Sequence, residues 1–273
     1  MLVVMTFCGL AGCTSKASST PQVATNEQVE TYATYRLSDT LLEDKDYSRF
    51  LHDKASINTL VAFYNDILQS DKVLMLSAFN QAMQVKDFKS DKRFFYGTEE
   101  YLKATADLVP RQKALQINQN FFDFHQLKVV EGEAIVWEGI DYRNGMKIPI
   151  LLGHQYKGIY ELGDVLEIEF YSKIFPCEVV GFLAKETGVS YNGYIDKDLD
   201  TYIIFPYPPK LWPVDEVDDS FAGIVYFAML NGEVATKASE QVLLSEIKMA
   251  SEKSEFKDFQ VLDKEGNPLA WQK

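Results

Sequence analysis

Histidine, cysteine and basic side chains are all scarce in this 273-residue chain, and each shortage removes a class of function. The three histidines, His52, His125 and His154, have no second ligand and no nucleophile at a recognisable spacing. The three cysteines, Cys8, Cys13 and Cys177, lack the paired spacing of a zinc site and are too few for a disulfide framework. Ser77, Ser190 and Ser220 stand outside any Gly-x-Ser-x-Gly elbow, and no glycine-rich loop leads into Lys and Ser or Thr, so neither a hydrolase elbow nor a phosphate cradle is encoded. Lys and Arg number 27 against 40 Asp and Glu, a net charge of -13 that repels phosphate backbones and anionic headgroups and argues against a nucleic-acid partner. After residue 13 no apolar run approaches the roughly 20 residues that a helix needs to cross a bilayer. The best later stretch, residues 221–230, is about strand length. No cofactor, metal or catalytic group is implied, and the chain is expected not to be an enzyme.

What is present is enough apolar material for a sizeable core: 47% of residues are hydrophobic and 13% aromatic, which excludes global disorder. The first twelve residues are apolar, end in small side chains and pass into the polar run Thr14-Ser-Lys-Ala-Ser-Ser-Thr20, the layout of a secretory signal. Leu10-Ala11-Gly12-Cys13 resembles the bacterial lipobox. That resemblance implies cleavage before Cys13, a lipid on its thiol, and a place at the extracytoplasmic face of the cell membrane. Residues 1–12 are then the signal and residues 13–45 carry the lipidated cysteine and a flexible tether, its polar stretch to about residue 30 having too little apolar surface to fold. None of the twelve leader residues is Lys or Arg, a departure from the basic opening of a signal. A start further upstream stays open, as does the tail of a transmembrane helix from a shortened permease.

From residue 46 the pattern is helical. Phe50, Leu51, Leu60, Phe63, Tyr64, Ile67 and Leu68 recur at three- and four-residue spacings, which predicts one or two amphipathic helices over residues 46–70, followed by a strand at 72–76. Residues 77–113 carry a weaker signal, with a helix expected over 99–108 and stopped by Pro110. Beyond Leu115, short runs rich in branched and aromatic residues predict strands at 127–130, 148–152, 165–171, 177–183, 202–205 and 224–230. Gly163-Asp164 and Ser172-Lys173 read as turns. A helix over 239–249 and a strand at 259–262 complete a β-α-β ending. The fold class is α+β: a mixed α/β body of two subdomains, about 46–115 with 220–262 and 116–210, with an antiparallel β-rich centre and amphipathic helices packed on sheets. Pro206, Pro208, Pro209 and Pro213 mark a stiff loop between them.

Ile117-Asn-Gln-Asn-Phe-Phe-Asp-Phe-His-Gln-Leu-Lys-Val-Val-Glu-Gly132, Ile148-Pro-Ile-Leu-Leu-Gly153, Tyr160-Glu-Leu-Gly-Asp164, Val179-Val-Gly-Phe182 and Leu199-Asp-Thr-Tyr-Ile-Ile-Phe-Pro206 resemble the MacB-like periplasmic core domain. That domain is the extracytoplasmic part of FtsX-like ABC transporter permeases. The likeness is clearest over residues 117–206 and thinner through 46–262. It implies a mixed α/β body that couples the membrane to outside partners and brings no catalytic residue with it. The four transmembrane helices of such a permease are missing. Each matched piece also has a plain structural role: Gly132 and Gly153 end strands where a side chain would clash, and Gly163-Asp164 makes a turn.

The remaining residues of chemical interest read modestly. His52 is expected in solvent on a helix, and His125 and His154 are expected to cap or pack. Asp215-Glu-Val-Asp-Asp219 lacks the glycine and spacing of a calcium loop and reads as a solvated acidic loop. Cys177 reads as a small buried hydrophobe. Tyr202, Phe205, Tyr207 and Trp212, among prolines, form either an exposed patch for a protein partner or core packing at a domain edge. The expectation is a non-catalytic surface lipoprotein, an accessory or sensor beside an FtsX-like ABC transporter. A solute- or peptide-binding lipoprotein with a cleft, and the extracytoplasmic fragment of a truncated permease, are the alternatives.

Overall fold

Strand β1 (Ala33–Asp39) falls inside the stretch expected to be tether and is instead paired on both sides. Only Leu37 of its side chains is fully buried, so its sequence carries no apolar alternation to betray it. The computed structural model describes residues 31–270 apart from 42, 106–107, 144, 193–196 and 217–218, so Cys13 and the leader lie outside the described residues.

Helices α1 (Asp44–His52) and α2 (Lys54–Leu68) fill the predicted helical region. Asp53 separates them and caps α2, one carboxylate oxygen accepting from the Ala55 amide at 3.1 Å and the other from the Ser56 hydroxyl at 2.6 Å. The apolar stripe of α2, including Ile57, Leu60, Phe63, Tyr64 and Ile67, is buried, as the spacing requires. There follow β2 (Leu74–Leu76), β3 (Ala78–Phe79), β4 (Gln84–Val85), α3 (Glu99–Ala104), β5 (Ala114–Ile117) and α4 (Gln119–Phe124). Next come β6 (Val129–Gly132), β7 (Ile148–Leu152), β8 (Val165–Phe170), β9 (Lys173–Leu183), β10 (Gly188–Val189), β11 (Lys197–Asp198) and β12 (Ile203–Pro206). The chain closes through α5 (Asp219–Leu230), β13 (Glu233–Thr236), α6 (Glu240–Ser254) and β14 (Phe259–Leu262).

Two main sheets result, with helices packed on them, so the mixed α+β class holds. The smaller has the order β14-β1-β13-β2 and is antiparallel throughout. The larger runs β3-β5-β12-β7-β9-β8-β4, with β6 paired to the far end of β9. Its pairs are antiparallel except β5/β12 and β7/β9. Helix α6 lies along α2, tied by Lys253 to Asp66 at 2.7 Å, and Lys72 reaches Glu246 of α6 at the same distance.

Two expectations need correction. Residues 224–230 are helical, within α5, and the strand of the β-α-β ending is β13. Phe221, Ala222, Val225, Tyr226, Met229 and Leu230 of α5 are all buried, and a helix apolar on every face has no 3.6-residue signal to separate it from a buried strand. Helix α3 stops at Ala104, short of the predicted 108.

The glycines at strand ends behave as read from sequence. A Cβ on Gly132 would stand 2.2 Å from the Val180 carbonyl oxygen, and one on Gly153 would stand 2.1 Å from that of Leu199.

Candidate functional site

The histidines are not brought together. His52 is exposed on α1 with Nδ1 2.6 Å from the Ser48 carbonyl oxygen. His125 closes α4, its ring centroid 4.2 Å from that of Phe121, and burial lowers its pKa below the ordinary imidazole value. His154 sits in a single helical turn after Gly153. Among the described residues no group of three or more His, Cys, Asp or Glu is placed to hold a metal ion. Of the acidic stretch 215–219, Asp215 is exposed and 3.9 Å from Lys54, while 217 and 218 are outside the described residues.

Cys177 is fully buried in β9, where its thiol donates to the Phe175 carbonyl at 3.5 Å and burial raises its pKa far above the ordinary thiol value. Cys177 should therefore resist a thiol reagent at pH 8 in the native protein and react only on unfolding. Replacement by Ala should cost about 1 kcal/mol, as loss of one small buried group does. Rapid labelling of Cys177 in the folded protein, located by peptide mapping, would contradict this burial.

Tyr202, Phe205, Tyr207 and Trp212 do not form an exposed patch. Phe205 and Tyr207 are fully buried, Trp212 is 9% exposed and Tyr202 is partly buried. β12 is an interior strand, its edges paired with β5 and β7, and all four of its residues are buried, so the alternating side chains meet packed protein on both faces of the sheet. Phe205 packs against Phe170 at 4.9 Å between centroids, and Trp212 lies under the Arg143 guanidinium at 4.4 Å.

Exposed apolar side chains gather instead around α3. Tyr101 is 50% exposed, Leu108 65% and Val109 63%, and with Tyr96, Phe95, Leu102 and Pro110 they line a groove of about 500 Å³. Thr98 caps α3, accepting from the Tyr101 amide at 3.2 Å. Gly97, at φ +108°, lets the Tyr101 ring lie where its own Cβ would be, 2.3 Å from Cδ1. Lys92 and Arg111 stand on the rim, directed to Glu99 at 3.6 Å and Glu169 at 3.8 Å. Nothing in the weak pattern of residues 77–113 announced this surface.

A second concavity, about 400 Å³, lies where β1 of the small sheet faces β3 of the large one. Its polar lining comes from Arg36 and Ser38 of β1, Asn80 after β3, Tyr96, Asn192, and Asn231 after α5. Asn231 is structural: its side-chain oxygen accepts from the Asp39 amide at 2.9 Å and its amide donates to the Phe227 carbonyl at 3.1 Å. The Asn192 amide donates to Glu233 at 2.8 Å, and Glu233 is the Cα partner of Arg36 in the β1/β13 ladder. Burial raises the Glu233 pKa, opposed by the hydrogen bond from the Asn192 amide and by the charges of Lys264 and Arg36. These residues are scattered from 36 to 231 and had no sequence signature.

No family model matches the chain. No curated protein matches it. Among solved structures it is similar to the periplasmic region of MacB from Actinobacillus actinomycetemcomitans, at 13% identity over 85% of this chain and 89% of that one, with a TM-score of 0.44. It is also similar to the extracellular domain of the noncanonic ABC-type transporter YknZ from Gram-positive bacteria, at 16% identity over 84% of this chain and 100% of that one, with a TM-score of 0.38. Among the described residues no helix is long and apolar enough to cross a membrane.

Proposed function

We propose that this chain is a non-catalytic binding module, tethered to the extracytoplasmic face of the membrane through a lipid on Cys13, that serves an FtsX-like ABC transporter by engaging a protein partner. The observation that carries the binding part is the groove beside α3. Tyr101, Leu108 and Val109 keep half or more of their surface in water around one concavity. Contiguous exposed apolar surface of this kind marks a partner site more often than it marks idle surface. The transporter part rests on the residues in 117–206 that resemble the extracytoplasmic domain of such permeases, and the tether on the lipobox-like residues 10–13.

Two experiments test it. Metabolic labelling with a fatty-acid analogue should mark the wild type and not Cys13→Ala; label retained in both would remove the tether. A photo-crosslinking amino acid placed at Leu108 in cells should join the chain to a transporter subunit, and the join should be lost on adding Tyr101→Glu. Crosslinks equal to those from Ile174, exposed on β9, would refute a partner at the groove.

A further inference from the structure

The groove beside α3 differs in charge from the rest of the chain. Residues 84–111, the segment that lines it, hold six Lys and Arg against five Asp and Glu, whereas the other residues hold 21 against 35. Among the described residues its lining includes Lys92 and Arg111 and no carboxylate. Each cation has one carboxylate near it, Glu99 at 3.6 Å from Lys92 and Glu169 at 3.8 Å from Arg111, but both separations exceed hydrogen-bond length. Lys92, Glu99 and Arg111 keep half or more of their side-chain surface in water, and such exposed pairs contribute little. A guanidinium with five N–H groups, or an ammonium with three, can take a second carboxylate without giving up the first. An anionic membrane would meet the acidic remainder of the chain along with the groove, so a protein segment is the better match for this local charge.

The form of that segment follows from the backbone around the groove, which is already paired. Met83 and Gln112 exchange amide-to-carbonyl bonds at 3.1 and 2.7 Å, and the Val85 amide donates to the Gln112 side-chain oxygen at 2.7 Å. The Tyr96 amide donates to the Arg111 carbonyl and the Lys113 amide to the Phe94 carbonyl, each at 2.8 Å. These segments satisfy one another and offer an added strand little edge to pair with. A volume of about 500 Å³ takes the side chains of a docked segment, not its main chain. Side chains presented together without main-chain pairing are what one face of a helix supplies. We infer that the groove takes an amphipathic helix of the partner, its apolar residues three and four apart seated on Tyr101, Leu108 and Val109 and its Asp or Glu side chains set against Lys92 and Arg111. This rests on the reading of the groove as a partner site and adds the chemistry of what enters it.

The test is selection by the immobilised full-length protein from a displayed library of random peptides of about sixteen residues, roughly four turns of helix. The selected peptides should carry Leu, Ile or Phe at three- and four-residue spacing with an excess of Asp and Glu, and Tyr101→Glu should abolish the selection. Arg111→Gln and Lys92→Gln should each weaken the strongest peptide by about tenfold, the loss expected for one charge-assisted hydrogen bond. Arg111→Lys keeps the charge and should retain part of the affinity, which guards against a folding defect in the glutamine variant. Peptides that are lost with Tyr101→Glu but show no acidic excess, or carry their apolar residues in alternation, would overturn this inference and leave the partner site standing. Selection of no peptide would also overturn it, and the partner site would then be judged by the Leu108 crosslinks alone. Crosslinks from Leu108 onto phospholipid in place of protein would overturn both.

Discussion

Gly132→Ala should lower the unfolding free energy by about 4 kcal/mol, Gly153→Ala by about 3 and Gly158→Ala by about 1, in equilibrium denaturation with urea. The three positions separate two costs that usually arrive together. Gly158 is at φ +80° with nothing within 4 Å of the Cβ it would gain, so only the left-handed backbone is penalised. Gly153 is at φ -62° and ψ 160°, a conformation any residue adopts, but its Cβ would stand 2.1 Å from the Leu199 carbonyl oxygen and 2.5 Å from the Asp200 carbonyl carbon. Those are main-chain atoms, and they are held: the Gly153 amide donates to Tyr202 at 2.9 Å and the Gln155 amide to Asp200 at 2.9 Å. Relief therefore means moving the approach to β12 away from β7. Gly132 carries both burdens, with φ +80° and a Cβ 2.2 Å from the Val180 carbonyl oxygen, at the end of the β6/β9 ladder. A Gly153→Ala protein as stable as Gly158→Ala would show that this approach is looser than described.

Which parts of the fold could be read beforehand follows from how each element is buried. Helices α1, α2 and α6 each present one face to the core, so their apolar residues keep helical spacing. Strands β7, β8, β9 and β12 announce themselves through branched and aromatic runs. The turn joining β8 to β9 is Tyr171-Ser172, one residue earlier than expected, and both residues have positive φ without being glycine. The register of the hairpin sets that conformation, and the residue types give no sign of it. Helix α5 was hidden by being apolar all round, and β1 by being polar where its neighbours supply the pairing. The aromatic cluster at 202–212 was visible, but its burial depends on partners distant in sequence, Phe170 against Phe205 and Arg143 over Trp212. The concavity between β1 and β3 is assembled from segments distant in sequence, Arg36 with Asn192, and spacing along a chain does not report such meetings, whereas the groove at α3 lies within residues 84–111, whose pattern of apolar residues was weak.

Asn118→Ala should be among the most damaging single substitutions, at about 4 kcal/mol, because it orphans three buried groups at once. Its side-chain oxygen accepts from the Phe121 amide at 3.0 Å, capping α4, and from the Ser77 amide at 3.2 Å. Its side-chain amide donates to the Met75 carbonyl at 2.8 Å. The chain of bonds continues from there. The Ser77 hydroxyl donates to the Met229 carbonyl at 2.7 Å, so the Tyr64 hydroxyl, 2.8 Å away, must be the donor to Ser77. Burial accordingly raises the Tyr64 pKa, to about 12. One polar network thus fastens α2, the β2–β3 segment, α4 and α5 in an otherwise apolar interior. Asn118→Asp offers a sharper test than alanine, since it keeps both accepted bonds and replaces only the side-chain amide, which donates to the Met75 carbonyl and, at 3.5 Å, to the Tyr64 hydroxyl. At neutral pH the introduced carboxylate would face that carbonyl oxygen and be destabilising. Protonated, it can donate to it. Burial raises the pKa of such a carboxyl in the folded state above its unfolded value, so stability should be recovered as pH falls and lost as pH rises through the folded value. A variant whose deficit relative to wild type stays constant between pH 4 and pH 8 would mean that water, not the Met75 carbonyl, receives that side chain.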